Sequence, residues 1–227
     1  MSARYRARFV GRPEPSRRLV TGRSDCFTGE FPSGKPAMGF RMVAYEGILV
    51  REFMALLEDD ANVVSYREAP PPFAWDDGDE GGECRCHVAV TLADGGRIAV
   101  LVHHARHVRK ADLAAIVPYL TDGAIAAGYD GFELWTEHEI HAGHGLANAL
   151  LIASERTFVV DETALHTMRN AVDRLGGHAT VRELRIESSL GAAAFRAVVK
   201  LIAMGELVQV DRRAILDDHA LVEIPRR

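Results

Sequence analysis

One stretch constrains the fold more than any other. Ile98–Val102 is apolar at every position and follows the turn sequence Asp94–Gly95–Gly96 after a single residue, Arg97. A strand with one wet face alternates polar and apolar residues, so an uninterrupted apolar strand implies burial on both faces. It therefore needs a layer above and a layer below, and the surrounding sequence supplies both. Upstream, Ile48, Leu49, Phe53, Leu56 and Leu57 recur at helical spacing and predict an amphipathic helix over about 44–58. Downstream, residues 109–127 predict a second helix with Pro118 as a kink or break.

NVVSYREA reads as a strand stopped by Pro70–Pro72, and the segment from Cys84 to Val102 as two strands joined by the Asp94–Gly95–Gly96 turn. The acidic, glycine-rich DDGDEGGE before Cys84 reads as an exposed, mobile loop. Phe132–Trp135 is a further buried strand, and Thr136 caps a third helix running to about Ser154. The order predicts an α/β domain over 41–156, a mixed sheet flanked by helices.

The pattern changes after Arg156. Residues 161–175 predict a helix stopped at Gly176–Gly177, Thr180 caps a short one, and Leu190–Met204 forms another. Two strands around Asp211–Arg212–Arg213 follow. Three helices and a β-hairpin predict a C-terminal winged-helix domain over 157–227, a relative of the helix-turn-helix group. Arg196 and Lys200 are the basic residues of its presumed recognition helix, and Arg212 and Arg213 those of its wing. Such a domain docks DNA or protein, and both readings stay open.

Residues 1–40, rich in proline and glycine, predict an extended arm. Residues 1–41 hold nine basic and three acidic residues, a surplus of six that leaves the rest at −11 against an overall −5. Arg4, Arg6, Arg8, Arg12, Arg17, Arg18, Arg23 and Lys35 are candidate contacts to DNA phosphates. A solvated tail without a partner is the alternative. No run approaches the ~20 apolar residues of a membrane helix, no secretory leader is visible, and three cysteines give no disulfide framework, which points to a reducing cytoplasm.

A resemblance sharpens these expectations. Ser33, Lys35, Glu46, Leu49, Arg51, Phe53, Leu56–Leu57–Glu58, Asp60, Val63, Pro70, Asp94–Gly95, Val100 and Val102, Trp135–Thr136–Glu137 and Asn148–Ala149 keep a characteristic spacing. From about Ser33 to Arg156 the chain resembles the N-terminal domain of TnsA-type transposon endonucleases, which implies a restriction-endonuclease-like core. It also implies metal-dependent phosphodiester hydrolysis, with carboxylates holding a divalent ion against the scissile phosphate.

The family's catalytic positions fall on Val50, Ala69, His87, Leu101 and His103 in this chain. None carries the family's side chain, and valine and leucine cannot hold an ion. Imidazole binds transition metals but suits magnesium poorly, so His87, His103 and Glu46 form a candidate site for a transition metal, while no magnesium site is expected. The opposing reading has the histidines filling the vacated acidic pocket through hydrogen bonds. His138, His141 and His144 lack the four-residue spacing of the zinc-protease motif and read as a solvated helix start.

The function these readings imply is a DNA-binding protein with a degenerate, non-cleaving nuclease domain, a nucleoid-associated regulator or architectural subunit requiring no cofactor. The alternatives are an active metal-dependent endonuclease subunit of a heteromeric transposase and a protein-docking adaptor.

Overall fold

The computed structural model describes residues 11–17, 19, 26–156 and 161–225. The chain divides into two compact units, one ending at His141 and the other beginning at Ala142.

In the first unit, β1 (Thr28–Pro32) pairs antiparallel with β2 (Met42–Glu46). Helix α1 (Ile48–Asp59) follows, then β3 (Val63–Glu68) and a hairpin of β4 (Phe73–Asp76) and β5 (Gly81–Cys84). Next come β6 (Val88–Leu92) and β7 (Arg97–Val102), then α2 (Ala105–Lys110), α3 (Leu113–Ala126), β8 (Gly131–Trp135) and α4 (Glu137–Ile140). The main sheet has the order β3-β6-β7-β8, antiparallel except for the parallel pair β7–β8.

The apolar run on β7 behaves as its composition demands. Ala99 and Leu101 pack under α3 with Phe132, Leu120 and Ala124. The alternate residues Val100 and Val102 are also buried and turn to the other face. There Phe53 of α1 lies 5.0 Å, ring to ring, from Trp135 of β8. Helix α3 reaches the β4–β5 hairpin closely enough that a Cβ on Gly123 would lie 2.4 Å from the Ala74 carbonyl oxygen, so only glycine fits.

Several expectations need correction. The helix predicted over 109–127 is two helices, and the break falls at Asp112, in the left-handed conformation with φ 46°, not at Pro118, which stays inside α3. The DDGDEGGE loop is a hairpin: Asp76 and Asp77 accept backbone N–H groups of Gly78, Asp79 and Glu80, and these aspartate-capped turns bring β5 back along β4. The described part of the predicted arm belongs to the fold. The Met42 N–H donates to Gly11 O, the Ser16 N–H to Ala69 O and the Glu14 N–H to Glu68, and residues 28–32 form β1. Buried Ser33 and the Tyr66 hydroxyl both donate to buried Glu58 at 2.6 Å, which anchors the segment.

The third helix is interrupted. Helix α4 ends at Ile140, Gly143 takes φ 64°, and α5 (Gly145–Arg156) begins in the second unit. There follow α6 (Glu162–Arg174), β9 (His178–Thr180), α7 (Val181–Ser188), α8 (Ala193–Ala203), β10 (Val208–Gln209) and β11 (Leu221–Glu223). The three strands form an antiparallel sheet of order β10-β11-β9. The unit boundary thus precedes the one expected at 156, because Leu151 and Ile152 of α5 pack into the core of α6, α7 and α8. Asn148, also on α5, closes the loop between β10 and β11: its amide donates to the Gln209 side chain and to the carbonyls of Arg212 and Ala214, and its oxygen accepts the Leu216 N–H. Thr180 caps α7 with a reciprocal bond to Glu183, as the sequence predicts.

Candidate functional site

The end of β2, the start of α1, the end of β3 and the segment entering β6 converge on one recess. It brings together Val50, Ala69 and His87 with Glu46 and Glu68, so three of the positions carried over from the resemblance are neighbours in space. Leu101 is not among them: it packs on the opposite face of the sheet, under α3. Ala69 adopts φ 41°, which side-chain-bearing residues rarely take, immediately before Pro70. The open volume is about 10 Å³, room for about one water molecule.

Both carboxylates at the recess already have cationic partners. Glu46 pairs with Arg17. Glu68, 1% exposed, accepts both guanidinium nitrogens of buried Arg41 at 2.7 Å and the Glu14 N–H at 2.8 Å. Planar two-point pairing of this kind is the strong form of the interaction. Hard-cation chemistry would require these oxygens to leave their arginines.

His87 is fixed in its protonation state by the backbone. Its Nδ1 accepts the Val102 N–H at 3.1 Å, and an amide N–H can only donate. Neutral His87 therefore carries its proton on Nε2, which makes that nitrogen a donor with no lone pair to offer an ion. Burial, then the neighbouring His103 and then Arg17, push its pKa down from 6.5 to about 4. His103 is also lowered, chiefly by burial and then by His107 and His104. The rings form a chain: His87 and His103 are 5.4 Å apart, His103 and His107 6.4 Å, His104 and His107 6.1 Å, all edge to face. Among the described residues, no group of three His, Cys, Asp or Glu side chains is placed to hold a metal ion. The candidate set His87, His103 and Glu46 is thus corrected on geometry, His87 by its tautomer and Glu46 by its arginine.

The basic candidates fare unevenly. Arg4, Arg6, Arg8, Arg18 and Arg23 lie outside the described residues. Arg12 is exposed, whereas Lys35 is buried with its ammonium on the Asp60 carbonyl. Arg196 donates to both Glu155 oxygens, at 2.9 and 3.0 Å, and Lys200 donates to the carbonyls of Glu155 and Arg156. These two residues of the presumed recognition helix tie α8 to α5 instead of pointing freely outward. Arg213 is exposed on the loop between β10 and β11, where Arg212 is half-buried. His141 bonds to Glu52 at 2.8 Å, joining the end of α4 to α1, so that histidine is not a free ligand either.

Two groups were missed or underread in the sequence. Helix α2 exposes Arg106, His107, Arg109 and Lys110; the signal was present in HHARHVRK but hidden by the acidic total of the surrounding domain. Cys84 and Cys86 are buried together with their sulfurs 3.7 Å apart under α3. Their mutual hydrogen bond holds the Cys84 thiol below its usual range, while that contact and burial push Cys86 up.

Among the described residues no helix is long and apolar enough to cross a membrane. Compared with models of known protein families and with curated protein sequences, the chain matches none.

Proposed function

We propose that this chain binds the phosphate backbone of duplex DNA through a nuclease-like first unit that does not hydrolyse it. The observation that carries the reading is the recess: it gathers three of the five positions where a metal-dependent nuclease would place its ligands, yet its carboxylates are neutralised by Arg17 and Arg41 and its histidine is a donor. The helix, three-stranded antiparallel meander, helix and parallel fourth strand support a restriction-endonuclease-like core. In the second unit, α6, β9, α7, α8 and the β10–β11 pair support a winged helix.

The test is fluorescence anisotropy on a short labelled duplex at two salt concentrations. A phosphate-backbone binder loses affinity steeply as salt rises, by about 0.9 in log K per log salt for each phosphate contacted. Absence of binding at low salt sinks the proposal. A protein-docking role for the second unit is the second reading, favoured because Arg196 and Lys200 are committed to α5. It predicts that residues 142–227 contribute nothing to duplex affinity.

A further inference from the structure

We infer that the exposed face of α2 is the surface that meets the DNA backbone, an inference that rests on the function proposed above. Arg106, Arg109 and Lys110 stand at i, i+3 and i+4, which puts them on one side of the helix. All three are exposed, and none of their side chains has an ion-pair or hydrogen-bond partner among the described residues. Elsewhere Arg17, Arg41, Arg169, Arg174, Arg185 and Arg196 each pair with a carboxylate, whereas α2 gathers three cations on one short helix. Acidic residues outnumber basic ones, 32 to 27, so carboxylates were not lacking.

The carboxylate that meets the first residue of α2 is engaged elsewhere. Glu137 accepts the Ala105 N–H at 2.7 Å and faces His104 at 3.5 Å. Helix polarity explains only part of the pattern. Arg109 and Lys110 lie in the last turn, where cations are favoured, but Arg106 lies outside it, towards the end that disfavours them. Three like charges crowded on one short helix repel one another, and a polyanion relieves that repulsion. The face also continues the ring chain His87–His103–His107 that leads out of the recess. Duplex DNA, a rigid and dense row of phosphates, is the partner this spacing and position fit.

The test compares three proteins by anisotropy on the same duplex: the parent chain, R106Q/R109Q/K110Q, and R85Q/R174Q/R185Q, which removes equal charge from arginines paired with Glu83, Glu187 and Asp218. The α2 variant should bind on the order of 10- to 100-fold more weakly and lose ~1 from its salt slope per cation removed. The control should stay within about threefold of the parent, since exposed ion pairs contribute little. Circular dichroism checks folding, and Arg106→Glu alone provides a minimal variant. Parent and α2 variant binding equally overturns this inference and leaves the proposed function standing. A parent chain that binds poly-glutamate through α2 but no duplex overturns both.

Discussion

Acid should destabilise the first unit through His87, by an amount that follows from its position. The residue is mostly buried, Nδ1 holds the Val102 N–H, and its pKa falls from 6.5 to about 4. The unfolded chain thus binds the proton first, and stability rises with pH wherever that is so. The contribution is fully present above 6.5 and is lost as pH falls towards 4. Each unit of difference is worth 1.36 kcal/mol, so this residue accounts for about 2–3 kcal/mol of the loss between about pH 7.5 and about pH 4.5. His87→Gln keeps an oxygen for the Val102 N–H and removes the titration. Urea unfolding of both proteins at both pH values gives the difference of differences, and His103, present in each, cancels. The variant should lose about 2–3 kcal/mol less on acidification. Equal losses would refute the reasoning, and so would a larger loss in the variant.

Other parts of the structure make equally direct predictions. Glu68→Ala strands the Arg41 guanidinium in the interior and should cost about 3–5 kcal/mol. Arg41→Met with Glu68→Leu should recover most of that, and a cost below about 1 kcal/mol for the single variant would show the pair to be unimportant. Asn148→Ala leaves the Leu216 N–H and the Arg212 carbonyl without their partner, while the Ala214 carbonyl keeps the Gln209 amide. It should destabilise the second unit by about 2–6 kcal/mol, at about 1–3 kcal/mol for each of the two groups left unsatisfied, and raise amide exchange across 209–216. Unchanged exchange there would rule out the clasp.

Where the sequence spoke clearly, local physics decided the outcome. The apolar run at Ile98–Val102 specified a two-sided core, the spacing of Phe53 and its neighbours specified α1, and Thr136 and Thr180 announced their helices through side-chain caps. What stayed hidden depends on partners distant in the chain. Arg196 reads as a groove contact until Glu155, on another helix, is seen to hold it. Arg17 and Lys35 read as parts of a free arm until β1 pairs with β2 and draws them onto Glu46 and Asp60. Leu101 counted as a lost catalytic position, but its strand parity turns it under α3. The tautomer of His87 depends on one backbone N–H fifteen residues away, beyond any spacing rule. The three positions that do converge were reached through the resemblance, since helical or strand periodicity gives no hint that Val50, Ala69 and His87 share a recess.

A nuclease-like recess without metal chemistry should be unable to cut the DNA that the protein binds. Supercoiled plasmid incubated with excess protein and Mn²⁺ or Mg²⁺ should shift in a native gel, then run entirely as supercoil once the protein is stripped away. Nicked or linear product that depends on the metal and disappears with Glu46→Gln would contradict it.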